Sequence, residues 1–461
     1  MIEKATAKKI LNILLKNGGD FSEIYAQKRI SNNLRLEDEK IENSSSGFEI
    51  GCGLRLISKE STFYAYVDSL EKDALLNAAK VLSAAVSEKI KGRAIDLNER
   101  SSRYKIKIES HPSDIKQQYK KSILDEINTS ARNYSHHIIQ VTANISDLEE
   151  EVFIANSKGF FANDSIIKVF AAVNVVAKKG SEIRTGYKSL AKTKGFEIFN
   201  NNKAEDLSAE ASRIAVTMLD AIDAPAGIMP AVIGNAFGGV IFHEACGHGL
   251  EADAVIKDAS VYKNKLGTKI ASDIVTAVDD STLPYHWGSY SYDGEGFPSK
   301  KNILIEEGIL KGYLFDYKSS VKMGLEQTGN GRRQSYRDIP VPRMSNTYID
   351  KGKGSRKDII ESVKKGVFAK EFAGGQVDPA TGDFVFGISE GYMIKNGNIC
   401  EPIKGATLIG NGPKILKKIE AIGTDLDFAP GFCGKAGQSV SNEVGQPTVL
   451  ISSITVGGTK V

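Results

Sequence analysis

A chain of 461 residues is longer than one ordinary domain, and its length predicts two or three domains. Apolar residues make up 41% and charged residues 25% of the sequence, which is the balance of a globular protein that can bury large cores. The formal net charge is only +3, from 60 basic and 57 acidic residues, so nothing points to nucleic acid or an anionic membrane as a partner.

Helix and strand patterns alternate through the first half of the chain. Apolar positions at helical spacing predict helices over 4–16, 70–86, 113–133 and 204–220. Strand patterns between them lie at 23–30, 33–37, 48–57, 62–66, 137–147, 151–156, 166–178 and 181–190. The alternation predicts an N-terminal α/β domain over residues 1–222, with a linker at 224–227.

Beyond this linker glycine is dense and short β-like runs predominate. The clearest of these runs lie at 302–305, 312–315, 384–389, 391–395 and 448–456. Turn signals such as Lys395-Asn396-Gly397-Asn398 separate them. We therefore expect an α+β fold in which a β-rich C-terminal domain over residues 223–461 follows the N-terminal α/β domain and carries the functional site.

The most informative stretch covers residues 243–248, which read His-Glu-Ala-Cys-Gly-His. The whole chain contains 6 histidines, and two of them lie in this short stretch. Neutral imidazoles are good zinc ligands, and a neighbouring glutamate can take a proton from a zinc-bound water. The stretch predicts a metal site with Glu244 as general base. The plain alternative is a pair of packed core histidines.

The spacing of the two histidines departs from the familiar zinc-peptidase pattern. In that pattern the histidines are four residues apart and about 40° apart around a helix. His243 and His248 are five apart, roughly 140° around an ideal helix, and cannot reach one ion without distortion. Gly247 and Gly249 flank His248, so we expect the helix to widen or end there.

A catalytic zinc site usually has three protein ligands and an open position, so the motif needs a third ligand. Cys433 lies in a glycine-rich turn, which makes it accessible and easily positioned. Cys246 is the rival, because it lies three residues from His243 and near the same helix face. Cys52, between two glycines, is more typical of a small buried apolar residue, and Cys400 has no neighbouring ligand.

Four stretches of the sequence resemble the TldD side of the TldD/PmbA family of metallopeptidases. The resemblance spans most of the chain, and the second and fourth stretches are highly specific in combination. The stretches lie at 36–47 (with Leu36-Glu37-Asp38 and Ser45-Ser46-Gly47), 243–251, 329–336 and 433–438.

The resemblance implies a role for each residue of the predicted site. In that family the two motif histidines and the cysteine of the last stretch bind zinc, and the motif glutamate is the base. Carried over, it implies His243, His248 and Cys433 as ligands of one Zn²⁺ and Glu244 as the base. It also implies a dimer with an enclosed cavity, formed with a PmbA-like partner that lacks the metal motif or with a second copy of the chain.

Other residues are candidates for stabilising the oxyanion or binding substrate. Arg332, Arg333 and Tyr336 lie in a glycine-rich loop, and a solvated surface loop is the equal alternative. His286 lies beside the single tryptophan of the chain and could contact substrate, although a packed loop histidine is the commoner reading.

We therefore expect a zinc-dependent metallopeptidase that hydrolyses unfolded or extended peptides, with unpaired β edges of the C-terminal domain recognising the peptide backbone. One alternative is a zinc amidohydrolase, such as an amidase or deacetylase, acting on a small molecule. The other is a non-catalytic scaffold in which Cys246 is a fourth ligand of a structural zinc.

The sequence also carries an expectation about location. No apolar run approaches 18 residues, and the first residues lack the apolar core of a signal peptide. We expect a cytoplasmic protein whose 4 cysteines are free thiols or metal ligands rather than disulfide partners.

Overall fold

The structure, a computed structural model, describes residues 1–88, 95–102 and 106–459. In the first half of the chain, helices alternate with groups of strands. The bounds of these elements are α1 (Lys4–Leu14), β1 (Phe21–Glu37), β2 (Lys40–Ser58), β3 (Ser61–Val67), α2 (Lys72–Ala84), β4 (Asn98–Arg100), α3 (Gln117–Tyr134), β5 (Ile138–Asn156), β6 (Phe160–Lys179), β7 (Glu182–Lys192) and α4 (Lys203–Thr217).

Within the described part of the chain, these seven strands form one sheet in the order β3-β2-β1-β5-β6-β4, with β7 paired to β6. Long antiparallel ladders build it, and β1 lies at its centre between β2 and β5. Side chains alternate between the two faces of a strand, so each face of this sheet collects every second residue.

The helices cover one face of the N-terminal sheet. Ile24 of β1 packs with apolar residues of α1 and α2, and Val141 of β5 packs with those of α3 and α4. The opposite face carries Tyr25, which packs against Tyr336 from the second half of the chain. The two halves are therefore joined through the face of the sheet that the helices leave uncovered.

The second half of the chain consists of many short strands and five short α-helices within its described residues. The helices are α5 (Val240–Ala245), α6 (Ala252–Ile256), α7 (Tyr317–Met323), α8 (Arg356–Glu361) and α9 (Gly412–Ile415). The strands are β8 (Ile222–Asp223), β9 (Gly227–Ile233), β10 (Ala277–Asp280), β11 (Lys301–Glu306), β12 (Ile309–Leu310), β13 (Gly331–Arg332), β14 (Val341–Pro342), β15 (Asn346–Ile349), β16 (Lys365–Val377), β17 (Asp383–Lys395), β18 (Asn398–Lys404), β19 (Thr407–Asn411), β20 (Ile419–Ile422), β21 (Asp427–Lys435), β22 (Gln438–Gln446) and β23 (Val449–Gly457).

Two larger sheets organise these strands. One has the order β12-β11-β10-β15-β22-β21, and the other has the order β16-β9-β23-β19-β17-β18-β8, with β20 paired to β23. Strand β16 also pairs with β17, so five strands of the second sheet close into a ring. Helix α5 packs in the core that the two sheets share: Phe242 belongs to the same apolar cluster as Val444 of the first sheet and Phe386 of the second.

The structure confirms the expected α+β class and the β-rich character of the second half. The boundary expected at residue 222 stays a prediction, although β8 already pairs with β18 of the second half. The expected strand at 312–315 is wrong: the short strand lies at Ile309–Leu310 instead. Of the helices in the described ranges, none is long and apolar enough to cross a membrane.

A buried ionic cluster joins the two halves. Arg55 of β2 donates to Glu23 of β1 at 2.7 Å and also to Glu295 of the second half. Arg333 of the second half donates to the other oxygen of Glu23. These four side chains are at most 1% exposed, so each charge depends on its partners rather than on water.

Replacing Arg55 with methionine tests how strongly this cluster holds the fold. Arg55→Met leaves Glu295 and Glu23 short of a buried partner, so the free energy of unfolding should fall by about 3–5 kcal/mol. Arg35→Met is the matched control, because Arg35 and Glu37 form a partly exposed pair whose loss should change stability by less than about 1 kcal/mol. Urea unfolding followed by circular dichroism compares them, and equal losses would show that the cluster has no special role.

Candidate metal centre

The segment that carries the two motif histidines is a helix that breaks between them. Helix α5 ends at Ala245, and Cys246 leaves the helical region with φ −132° and ψ −51°. A 3-10 turn over Gly247–Leu250 follows and carries His248. The expected distortion near Gly247 is confirmed, and it begins one residue earlier, at Cys246.

Close packing at Gly247 accompanies the break. A Cβ atom at this position would lie 2.2 Å from the Sδ atom of Met344, so any larger residue would require the buried Met344 side chain to move. The break turns His248 back toward His243, and the two imidazole rings lie with their centroids 5.0 Å apart and nearly perpendicular. Two histidines five residues apart can thus point toward one position, because the backbone between them is not a regular helix.

The third donor comes from the hairpin of β21 and β22. Cys433 lies on β21, and its Sγ atom is 3.3 Å from Nε2 of His248. One donor atom from each of His243, His248 and Cys433 lies within 4.8 Å of the others. The structure therefore brings together the three residues that the sequence proposed as ligands, although 190 residues of chain separate the first from the last.

The charges around these donors favour a thiolate. Burial raises the pKa of Cys433, but hydrogen bonds and charge from His243 and His248 outweigh it and lower that pKa to about 4. Burial lowers the pKa of His248, but Glu251 and Cys433 outweigh it and raise that pKa well above its ordinary value. A deprotonated thiol is the form that binds a metal ion, so the centre is prepared for one.

An acid–base network fixes the orientation of His248. Nδ1 of His248 lies 2.9 Å from Oε2 of Glu251, and that carboxylate oxygen also accepts from Nζ of Lys435 at 3.0 Å. Lys435 also donates to Asp253 at 2.6 Å. Burial raises the pKa of Glu251, but His248 and Lys435 lower it to about 2, so Glu251 stays ionised. With Nδ1 held in this way, Nε2 is left to face Cys433.

Asn442 of β22 is the corresponding neighbour of His243. Its amide nitrogen lies 3.4 Å from Nδ1 of His243, while its amide oxygen is buried and has no hydrogen-bond partner among the described residues. Exchanging the amide oxygen and nitrogen lets the oxygen accept a proton from Nδ1, and the two orientations are assigned from the hydrogen-bond network. In that orientation Nε2 of His243 is also free to bind a metal.

No role was predicted from the sequence for Glu251, Lys435 or Asn442. Glu251 could have been recognised as a carboxylate one helical turn after His248, but Lys435 and Asn442 reach the centre only because β21 and β22 lie beside it.

Glu244 lies at the solvent side of the centre. Its side chain is 27% exposed, whereas that of His248 is 14% exposed. One carboxylate oxygen of Glu244 is 3.8 Å from Nε2 of His248. The carboxylate therefore lies near one of the three donor atoms and is also partly open to solvent.

The four residues predicted to bind substrate or the oxyanion are not among the three converging donors, and each has its own contacts. Arg332 donates to the carbonyl of Ser441, next to Asn442, at 2.7 Å. His286 pairs with Glu443 on the other face of β22. Arg333 belongs to the buried ionic cluster. Tyr336 is fully buried and donates from its hydroxyl to Asp68 at 2.5 Å.

Cys246 is the cysteine that could close the coordination sphere of a structural metal. It is buried, and burial raises the pKa of its thiol to about 12. Among the described residues it is not part of the cluster of potential metal ligands, which contains the two histidines and Cys433. A three-ligand set with an open position is typical of catalytic rather than structural zinc sites.

Comparisons with known proteins identify the class of the chain as a metallopeptidase. It matches the PmbA/TldA metallopeptidase domain 1 over residues 22–86, the central domain over 110–219 and the C-terminal domain over 226–458. These matches cover most of the chain. The protein belongs to the PmbA/TldD family of metallopeptidases, which confirms the resemblance seen in the sequence.

Curated relatives agree with this assignment over nearly the whole chain. A metalloprotease TldD homolog of Haemophilus influenzae is 38% identical, covering 98% of this chain and 96% of that protein. A metalloprotease TldD homolog of Buchnera aphidicola subsp. Acyrthosiphon pisum is 37% identical, covering 95% and 93%. A zinc metalloprotease TldD homolog of Saccharolobus solfataricus is 26% identical, covering 96% and 97%.

Solved structures share the fold at lower identity. A crystal structure from Thermotoga maritima MSB8 has a TM-score of 0.82 at 20% identity and covers 99% of this chain and all of that one. TldE from Thermococcus kodakarensis has a TM-score of 0.79 at 20% identity and covers 98% of this chain and all of that one. The arrangement of sheets described above is therefore also the fold of these two solved proteins.

Proposed function

We propose that this metallopeptidase holds one zinc ion with His243, His248 and Cys433 and uses Glu244 as its general base. The observation that carries the proposal is the convergence of the three donors with a partly exposed carboxylate 3.8 Å from one of them. Two imidazoles and a thiolate suit zinc better than magnesium or calcium, which prefer oxygen ligands. When bound, zinc lowers the pKa of a water molecule and polarises the carbonyl of the scissile bond.

Glu244 would move the proton that the reaction requires. Its carboxylate accepts a proton from the attacking water and then passes it to the nitrogen of the departing amine. The exposed fraction of its side chain allows water and substrate to reach it. His243 and His248 would stay neutral as ligands, held in place through Nδ1 by Asn442 and Glu251.

We propose extended peptides as substrates because of the strand that carries Cys433. Strand β21 is an edge of the six-stranded sheet, since among the described strands it pairs only with β22. Most of its residues are at least partly exposed, and Phe432 beside Cys433 is 59% exposed. An extended peptide could add to this edge through backbone hydrogen bonds, with little demand on its side chains. Folded proteins rarely offer such a free segment.

A partner subunit of the PmbA or TldE type, or a second copy of the chain, is proposed to complete the working enzyme. The close structural likeness to TldE from Thermococcus kodakarensis supports this pairing, because similar folds can build a pseudo-symmetric dimer. Light scattering of the chain alone and with such a subunit would distinguish the two dimers. A monomer under both conditions would refute the proposal.

Metal analysis combined with peptide cleavage tests the proposed function. One zinc per chain is expected, with cleavage of an unfolded casein-like polypeptide and no cleavage of short acyl amides such as N-acetylated amino acid amides. Hydrolysis of the short amides alone would favour the small-molecule amidohydrolase instead.

Glu251 offers a test of the network behind His248. Glu251→Gln removes the charge that holds Nδ1 of His248, so the affinity for zinc should fall about 10–100-fold. Asp253→Asn is the control, since Asp253 contacts Lys435 but not His248 and its loss should have a much smaller effect. Competition with a zinc chelator of known affinity measures both, and equal losses would argue against an orienting role for Glu251.

A further inference from the structure

A cleft separates the uncovered face of the N-terminal sheet from the second half of the chain. Its volume is about 630 Å³, within the usual range of ligand pockets at roughly 300–1,000 Å³. Strands β1, β5 and β6 line one side, and the β21–β22 hairpin lines the other. Phe432 and Ser441 are cross-strand partners that line this cleft, so it lies on the face of the hairpin opposite to Cys433 and Asn442. The cleft is therefore distinct from the metal centre.

Two basic side chains meet at one end of the cleft. Lys168 of β6 donates to the hydroxyl of Ser441, and Arg332 donates to the carbonyl of the same residue at 2.7 Å. Both residues are 8% exposed. Lys168 also donates to the carbonyl of Trp287 at 2.7 Å, so two of its three ammonium protons have partners.

Neither cation has an acidic partner in direct contact within the described part of the chain. In the described ranges, no carboxylate oxygen lies within 4.0 Å of Lys168 or Arg332, and their hydrogen bonds go to neutral oxygens. Glu150, an acid of the same cleft, is already paired with Arg29. Burial and the charge of Arg332 lower the pKa of Lys168 to about 7. Two buried like charges without a direct counter-ion leave an electrostatic deficit that an anion would fill.

Aromatic rings surround the two cations. Lys168 lies over the ring of Trp287 with its Nζ 4.9 Å from the centroid, and Arg332 lies over the ring of Tyr290 at 5.0 Å. The ring of Phe432 contacts that of Trp287 edge to face and remains 59% exposed. An apolar group attached to the anion would pack against these aromatic rings.

We propose that this end of the cleft binds the C-terminal carboxylate of a peptide whose last residue is aromatic or apolar. The carboxylate bridges Lys168 and Arg332 through charge-assisted hydrogen bonds, and the last side chain packs against Trp287 and Phe432. The choice of a peptide as the carrier of the carboxylate rests on the proposed peptidase function, while the anion site itself does not.

The single tryptophan of the chain makes this proposal measurable, because Trp287 lies in the site. Binding of N-acetylphenylalanine, of its uncharged amide and of inorganic phosphate is followed by tryptophan fluorescence. The protein carries Glu244→Gln, so that a failure to bind is separate from a failure to hydrolyse. The acid should bind at least about tenfold more tightly than the amide, because the amide cannot form the charge-assisted bonds.

A variant that removes the charge of Lys168 tests whether the acid binds at this end of the cleft. Lys168→Met keeps the apolar stem over Trp287 and should remove most of the preference for the acid. Lys178→Met, on the same strand at an exposed position, is the matched control and should leave that preference unchanged.

The pH dependence gives a second measurement that needs no variant of the cleft. Arg332, Arg29, Glu150 and Glu443 exert the largest charge effects on Lys168, and its ammonium is charged below a pKa of about 7. Burial raises the pKa of Asp293, which lines the same cleft, to about 7, so this carboxyl becomes negative over the same range and also opposes the anion. The affinity for the acid should therefore fall at least about tenfold between pH 6 and pH 8, while that for the amide changes much less.

Three results would overturn the proposal. They are equal affinities for the acid and the amide, the same loss of preference in Lys168→Met and Lys178→Met, and tighter binding of phosphate than of N-acetylphenylalanine. The last would assign the site to a free inorganic anion rather than to a peptide end.

Discussion

Glu244→Gln is expected to bind one zinc per chain and to lose about 10²–10⁴-fold in kcat on an unfolded peptide, since the positioned base contributes a factor of that size. Glutamine keeps the shape of the side chain and its exposure but cannot accept the proton of the attacking water. Because Glu244 is not one of the three proposed ligands, the zinc content should not change. The loss should appear in kcat rather than in KM, because the interaction matters in the transition state.

Glu306→Gln is the matched control for this substitution. Glu306 lies at the end of β11, where its side chain is 49% exposed, and it forms a surface pair with Lys311. Its replacement should leave both zinc content and kcat unchanged. Full activity in Glu244→Gln would show that another group takes the proton, and loss of zinc would show that Glu244 is a ligand instead.

Cys433→Ala should abolish zinc binding at stoichiometric concentrations and, with it, peptidase activity. The substitution removes the sulfur ligand and the negative charge that stands between two imidazoles. Loss of a residue that only hydrogen-bonds to a ligand lowers metal affinity by about 10–100-fold. Loss of a ligand itself should therefore lower the affinity for zinc by more than about 100-fold. Zinc content after dialysis and chelator competition are the measurements.

Two other cysteines serve as controls for this variant. Cys400→Ala removes a partly exposed thiol near the β17–β18 turn, and it should keep zinc and activity. Cys246→Ala removes a buried thiol beside the histidines and should keep zinc, at some cost in stability. If Cys246→Ala lost zinc while Cys433→Ala retained it, the ligand set would have to be His243, His248 and Cys246.

The N-terminal helices could be predicted from the sequence to within a few residues, but the strands are longer and less interrupted than predicted: β2 begins at Lys40 rather than at residue 48, and β6 begins at Phe160 rather than at residue 166. Residues 23–30 and 33–37 are predicted as two strands, whereas β1 runs unbroken over Phe21–Glu37. The polar residues between the two runs, Ser31 and Asn32, stay in register with β2 and β5. Pairing on both sides keeps such residues in a strand, and a local pattern cannot show that pairing.

The candidate site was predictable where its chemistry is local. The histidines and Glu244 lie within six residues, and the glycines that flank His248 predicted the broken helix. Choosing Cys433 rather than Cys246 as the third ligand required the resemblance to the TldD/PmbA family, because the residue pattern alone allowed either cysteine. The cleft that Lys168 and Arg332 line could not be predicted, since it exists only where two distant strands face each other.

X-ray absorption at the zinc edge of the purified, zinc-loaded protein tests the central assignment most directly. We expect one sulfur ligand at about 2.3 Å and two imidazole nitrogens at about 2.0–2.1 Å, with a light atom in the fourth position. In Cys433→Ala the sulfur signal should disappear together with most of the zinc. A spectrum with two sulfur ligands, or with none in the unaltered protein, would contradict a centre built from His243, His248 and Cys433.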